Sequence, residues 1–322
     1  MMPVLRLCLG FALLLALPTT APAQTDYPSR PVRIVVGFGP GSAADLTARV
    51  LAQRLSKTMG QQFFVENKPG GGSTVAAEQV VRGPKDGSTL FVGTAANVIN
   101  AVLQPDLSFD FARDFAPIAY TTSSPNILVV HPSIGVGNVK ELIAYLKANP
   151  GKVFYGSSGV GTSPHLSGEL FNMMAGTRMV HVPYSGSAQA VTDLIAGRTQ
   201  VMFSPASTVL QYVASGQLKA LASSERERAA AAPELPTVAE SGLPGFDTSV
   251  WFGLVAPTGT PPDIIEKLSL AVNEALKNDE VTVPLHTAGL DIKGGTPQAF
   301  GAFIAAETKK WNDVVIAAGL RK

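Results

Sequence analysis

Short apolar runs alternate with stretches of helical spacing along most of this chain. Val32-Arg-Ile-Val-Val-Gly-Phe38 reads as a buried strand that Gly39-Pro40-Gly41 breaks. From Ser42 the apolar positions Leu46, Val50, Leu51 and Leu55 recur at helical spacing. Gln62 to Glu66 reads as the next strand, followed by a Gly70-Gly71-Gly72 turn and a helix through about Arg82. Pro84-Lys-Asp-Gly87 is a turn, and Ser88 to Gly93 a third strand. This βαβαβ order predicts a mostly parallel sheet covered by helices.

A second series starts near Asn126. Strands are expected at Ile127–His131, Lys152–Gly156, Met179–Val182, Thr199–Phe203 and Leu218–Ala222, with helices at Val139–Leu146, Pro164–Met174 and Ser187–Ile195. Residues 223–247, with Pro233, Pro236 and Pro244, read as a connecting segment. After it come a strand from Val250 to Ala256, a helix opened by Thr260-Pro261-Pro262, a turn at Gly294–Pro297 and a last amphipathic helix, Phe300–Ala318. Two successive α/β series predict two lobes and not one extended sheet. The expected division is 24–125 plus 250–322 for one lobe and 126–249 for the other.

The start of the chain changes the picture of where the protein works. Arg6, the apolar stretch Leu7–Leu17 and Ala21-Pro22-Ala23 form the pattern of a cleaved secretory leader. Residues 1–23 are therefore expected to be removed after Ala23 and the protein exported from the cytoplasm. Cys8, the only cysteine, goes with them, so no disulfide, thiol nucleophile or cysteine metal site is expected. Arg6 is the only charged residue of the leader, and basic and acidic side chains balance in the remainder. A neutral chain lacks the basic footprint of a nucleic-acid binder, so no nucleic-acid partner is expected. Later apolar runs are too short for a membrane span.

Three loops attract attention because each joins a strand end to a helix start. In Gly39-Pro-Gly-Ser-Ala-Ala-Asp45, Ser42 is a good N-cap with Asp45 three residues on. Free N–H groups and the helix dipole favour an anion at such a place. The residues alone leave two readings, a carboxylate-binding loop or an ordinary capped turn. Gly156-Ser-Ser-Gly-Val-Gly-Thr-Ser-Pro-His165 offers hydroxyls, with Ser163 expected as N-cap and Pro164 as the first helical residue. It is not a nucleophile elbow, because Val160 stands where the second glycine of G-x-S-x-G would be. His181-Val-Pro-Tyr-Ser-Gly-Ser187 offers Tyr184, either to a ligand or to packing, with Ser187 as expected N-cap. Gly93-Thr94-Ala95-Ala96-Asn97 is a weaker fourth, whose small residues leave room for a guest. The dinucleotide G-x-G-x-x-G pattern fails at Gly41, and a Walker lysine is missing. His131, His165, His181 and His286 fall in different elements without metal-ligand spacing. No cofactor, metal or catalytic group is expected.

The order of these segments resembles the TctC/Bug family, periplasmic receptors of tripartite tricarboxylate transporters. The resemblance runs over residues 25–322. Val65-Glu-Asn-Lys-Pro-Gly-Gly-Gly72 is similar to the family's VENRPGAGG, and Asp86-Gly87 to its DG. Gly156-Ser-Ser-Gly159 with His165-Leu166 resembles SAGNGS…HL, and Val182-Pro-Tyr-Ser-Gly-Ser187 resembles VPYKGS. Pro236-Thr-Val-Ala-Glu-Ser-Gly242 and Trp251-Phe-Gly-Leu254 with Ala256-Pro257 resemble PTVAEAG and WXGLXAP.

The resemblance implies a type II periplasmic-binding-protein fold, α/β, with two lobes, a hinge and a central cleft. It implies a solute-binding protein and no enzyme: a small carboxylate as ligand, and the membrane subunits of a tripartite tricarboxylate transporter as partners. A monomer is expected. Carried over residue by residue, the ligand-binding candidates are Phe38, Gly41, Ser42, Asp45, Thr94, Ala95 and Asn97. The second lobe would offer Ser157, Gly159, Thr162, His165, Tyr184 and Gly186. Where many members carry an aspartate, as in VMFD, this chain has Ser204. That departure implies a carboxylate without an amine, such as a di- or tricarboxylate or an aromatic acid. The alternatives are a sensory receptor for a signalling ectodomain and a cleft enzyme on the same fold. The enzyme would have only Asp45 and His165 as acid or base.

Overall fold

The computed structural model describes residues 27–229 and 232–320. The expected leader, its cleavage point and Cys8 lie outside the described residues. In chain order the first elements are β1 (Val32–Val36), α1 (Ala43–Met59), β2 (Phe63–Asn67), α2 (Thr74–Val81), β3 (Thr89–Thr94), α3 (Ala95–Leu103), α4 (Phe111–Asp114) and β4 (Phe115–Val130). Next come α5 (Val139–Ala148), β5 (Phe154–Ser157), α6 (Ser163–Ala175), β6 (Val180–Pro183), α7 (Ser187–Ile195), β7 (Val201–Pro205), α8 (Ala206–Ala214) and β8 (Lys219–Ser223). The last are β9 (Ser249–Pro257), α9 (Pro262–Ala275), α10 (Asp279–Thr287), β10 (Asp291–Ile292) and α11 (Pro297–Ala317).

The strands pair in two groups that share one plan. In the first, β2, β1 and β3 run parallel, β9 lies antiparallel to β3, and the first part of β4 lies antiparallel to β9. In the second, β6, β5 and β7 run parallel, and the last part of β4 lies antiparallel between β7 and β8. The strand β4 therefore belongs to both groups: Pro125 pairs with Ser249 of β9, and Asn126 with Pro205 of β7. The chain crosses back after Thr248. Ser224 ties the two crossings together. Its N–H donates to Asn126 O at 2.8 Å, its Oγ accepts from Asn126 N at 3.0 Å, and its O accepts from Thr248 N at 2.9 Å. The described residues of the expected connecting segment form bends and turns, with a bridge between Ser223 and Thr237.

Both sheets are covered on both faces, which explains their unbroken apolar strands. Ile34 and Val36 of β1 pack with Ala44, Ala48, Leu51 and Leu55 of α1. Val35, between them, faces Ala76, Ala77 and Val80 of α2 on the other side. In β4, Ile127 and Val129 pack toward α7 and α8, while Leu128 and Val130 face α5 and α6. On the first sheet α11 closes the core: Trp311, Phe300 and Trp251 are fully buried. Glu307 lies among them, accepting from Trp251 Nε1 at 2.9 Å and Trp311 Nε1 at 3.0 Å.

The main departures from the sequence reading have local causes. The segment Phe115–Pro125, not anticipated, is the first part of β4 despite Pro117 and Pro125, and its register slips twice along β9. Helix α3 also escaped notice, because Ala95–Asn100 are all buried, the polar Asn97 and Asn100 included, so no exposed face sets off a core face. The cap expected at Ser163 belongs to Thr162, and the one expected at Ser187 belongs to Gly186. Ser163 is already helical, and its hydroxyl donates to Ser249 O at 3.0 Å instead of capping.

Candidate ligand-binding cleft

Six strand-to-helix loops open on one space. They follow β1, β2, β3, β5, β6 and β7, the parallel strands of both sheets, at their C-terminal ends. Ligand crevices of α/β sheets form in this position. Together they line a cleft of about 1170 Å³ between the two sheets. The helices that start there are α1, α2, α3, α6, α7 and α8, so several helix N-termini face one volume.

Of the residues singled out from the sequence, Phe38, Gly41, Ser42, Thr94, Ala95, Gly159, Thr162 and Gly186 line this cleft. Asp45, Asn97, Ser157, His165, Tyr184 and Ser204 do not; they stand behind it. Asp45 is turned away from the cleft. Its side chain is turned inward, where Oδ2 accepts from Gly41 N at 2.9 Å and Arg49 Nε at 3.0 Å, and Oδ1 accepts from Asn67 Nδ2 at 2.9 Å. Burial would raise its pKa, but hydrogen bonds from Arg49, Gly41 and Asn67 outweigh it and hold the carboxyl below its ordinary range. Ser42 Oγ accepts from Asp45 N at 3.2 Å, the cap that the spacing predicted.

Asn97 completes a capping box with Thr94, its Oδ1 accepting from Thr94 N at 3.0 Å. The Tyr184 hydroxyl donates to Asp193 Oδ2 at 2.8 Å, away from the cleft. Ser157 Oγ accepts from Gly159 N at 3.1 Å and lies 2.6 Å from His181 Nε2. The His165 ring is stacked on that of His181, 4.0 Å between centroids, and Nδ1 accepts from Gly161 N at 3.2 Å. Burial pushes the His165 imidazole down to about 3, with the neighbouring His181 adding to the effect, and His181 down to about 4. Both rings are neutral at pH 7. Ser204 is wholly buried in β7, on the face it shares with Met202 under α7 and α8, and does not line the cleft wall.

The sequence reading missed a large share of the lining. Gly70–Ser73 belong to it, with Asn100 on α3, Gln104 just past its end, and Ser207, Thr208, Gln211 and Tyr212 on α8. The α8 set was readable in principle, since 207, 208, 211 and 212 mark one helical face. Ser73 has φ +78°, and its Oγ is buried without a hydrogen-bond partner among the described residues. A Cβ on Gly37 would lie 1.9 Å from that oxygen, so only glycine fits there. Among the described residues that line the cleft, none has a charged side chain. Its polar wall is hydroxyls, amides and backbone; its apolar wall includes Phe38, Phe252, Val191 and Val250.

Comparison with known proteins places this geometry. The model of the tripartite tricarboxylate transporter family receptor, TctC, matches residues 47–320. Protein BugT of Bordetella pertussis is 34% identical over 304 residues, 94% of this chain and 93% of BugT. Among solved structures, Rpa4515 of R. palustris with adipate has a TM-score of 0.83 at 37% identity, covering 91% of this chain and 99% of that one. MatC (Rpa3494) from Rhodopseudomonas palustris with bound malate has a TM-score of 0.80 at 31% identity, covering 90% and 100%. With the two-lobed α/β architecture and a cleft between the lobes, this chain belongs to the TctC family of tripartite tricarboxylate transporter receptors.

Proposed function

We propose that this protein is a periplasmic solute-binding receptor that captures a small carboxylate without an amine, a di- or tricarboxylate or an aromatic acid, for a tripartite tricarboxylate transporter. The lobes divide at Pro125/Asn126 and Thr248/Ser249, one residue from the expected bound after 249. The observation that carries the reading is a cleft with no charged side chain among the described residues that line it, on which the N-termini of α1, α2 and α3 meet those of α6, α7 and α8. Backbone N–H groups at helix starts bind anions with neutral partners. One carboxylate against each lobe would give the closed form contacts from both sides, with rotation at the Pro125/Asn126 and Thr248/Ser249 crossings. An ammonium group would find no counter-charge on the lining: the nearest carboxylate in these loops, Asp45, is engaged by Arg49. Adipate and malate, the ligands named for Rpa4515 and MatC, are both dicarboxylates without an amine.

The function is that of a receptor, in which the protein binds and releases its ligand unchanged. The TctC match extends over most of the chain and supports the membrane subunits of such a transporter as partners. Among the described residues no helix is long and apolar enough to cross a membrane. Calorimetry with adipate, malate, citrate, benzoate, aspartate and glutamate tests the reading. Binding of at least one amine-free acid, tighter than aspartate and glutamate, is expected. Tighter binding of either amino acid than of every amine-free acid would overturn it.

A further inference from the structure

Behind the cleft wall formed by the β5–α6 loop lies a buried chain of side chains that the binding reading does not use. His165 is 3% exposed and does not line the cleft. Its ring stacks on His181, which in turn stacks on Tyr155 at 4.9 Å. Tyr155 donates to Glu169 Oε1 at 2.5 Å, and His165 Nε2 lies 4.0 Å from the same oxygen. Toward the cleft, His165 Nδ1 accepts from Gly161 N and His181 Nε2 meets Ser157 Oγ, which accepts from Gly159 N. An N–H can donate only to an unprotonated ring nitrogen, so the His165 proton sits on Nε2, on the side of Glu169.

The loop in question needs such support. Gly159 and Gly161 have φ of +124° and +77°, so the backbone leaves the ordinary regions twice in three residues. The Thr162 hydroxyl donates to Gly159 O at 2.7 Å and closes the turn. Gly161 is also where this loop meets the other sheet's helix α3: a Cβ there would stand 2.3 Å from Asn100 Oδ1.

We infer that His165 is a positioning residue of the cleft, whose Nδ1 holds the Gly161 amide and thereby fixes the loop 158–163 against α3. The inference rests on the receptor reading for its effect on binding, but its effect on the loop stands by itself. It replaces the direct ligand contact expected of His165 from the family resemblance.

Two substitutions separate this role from mere packing. In His165→Asn the side-chain Oδ1 falls where Nδ1 was and still accepts. In His165→Gln the acceptor reaches the place of Nε2 and leaves Nδ1 without a substitute. Hydrogen exchange of the ligand-free protein is compared over residues 158–163, alongside calorimetry with adipate and malate. His165→Gln is expected to raise exchange in that segment and to weaken binding of whichever probe the wild type takes by about tenfold, the scale of one lost hydrogen bond. His165→Asn should restore both. Wild-type exchange in His165→Gln, or equal damage in both variants, would overturn the inference. If the wild type bound neither probe, the receptor reading would be in difficulty, and the exchange comparison would still decide the role of His165.

Discussion

Replacing Asp45 with alanine distinguishes a structural carboxylate from a ligand-binding one. In the wild type Asp45 holds three partners: the Gly41 N–H, the Asn67 amide and the Arg49 guanidinium. The Arg49 side chain is 51% exposed, so water replaces its lost partner and its pairing contributes at most about 1 kcal/mol. The other two bonds reach a buried, charged acceptor, worth roughly 1.5–3 kcal/mol each. Asp45→Ala should therefore cost about 3–7 kcal/mol, a large part of the 5–15 kcal/mol by which folded domains are typically stable. Urea unfolding followed by circular dichroism measures it, with an unchanged m-value and a lowered midpoint expected. Carboxylate binding should weaken as a consequence, because the Gly41 loop and the start of α1 lose their tie to Asn67. The reasoning is refuted if Asp45→Ala unfolds at the wild-type midpoint while carboxylate binding disappears. That outcome would turn the Asp45 carboxylate toward the guest.

Three further outcomes follow from buried polar groups. Glu307→Ala leaves the indole N–H groups of Trp251 and Trp311 without their acceptor and should cost about 2–5 kcal/mol in urea unfolding; Glu307→Gln, which keeps an acceptor, should cost less. His165 and His181 have folded pKa values of about 3 and about 4, depressed from 6.5, so the unfolded chain takes up their protons first. Stability is then expected to fall as pH drops from about 6.5 toward 4, by up to about 1.4 kcal/mol per pH unit for each ring, and less steeply in His165→Asn. Glu225 accepts from Ser123 Oγ at 3.2 Å near the crossing, and burial, opposed in part by Lys293, pushes its carboxyl up to about 7. Its contribution is present below pH 4.5 and lost as pH rises toward 7, so Glu225→Gln should remove that decline; equal pH profiles for variant and wild type would count against it.

Much of this architecture was legible because strand and helix periods were clean wherever one face met the core. Ser42 with Asp45 marked the start of α1; Gly60, at φ +73°, ends it in the structure. What escaped was structure whose signal tertiary packing erases. Helix α3 is buried except at Ala101, α10 contains Pro284, and the first part of β4 carries two prolines. The loops of the cleft were legible as a set, since glycine and hydroxyl residues recur between strand end and helix start. Which side chain of each loop faces the guest was not. Spacing put Asp45 next to Ser42, but Arg49 one turn on and Asn67 on β2 draw it inward. Ser157 and His165 likewise answer to His181, on a different strand.

The uncharged character of the described residues on the cleft wall also governs how a ligand arrives. Charged binding sites draw opposite charges from a distance, and dissolved salt weakens that pull within a Debye length of about 8–10 Å at physiological strength. Here the attraction comes from amide dipoles and hydroxyls that act only at contact. The encounter rate should accordingly stay near that of an unsteered collision and change little when ionic strength does. A compartment open to the medium sees such changes often, and a receptor built this way keeps the same capture rate through them.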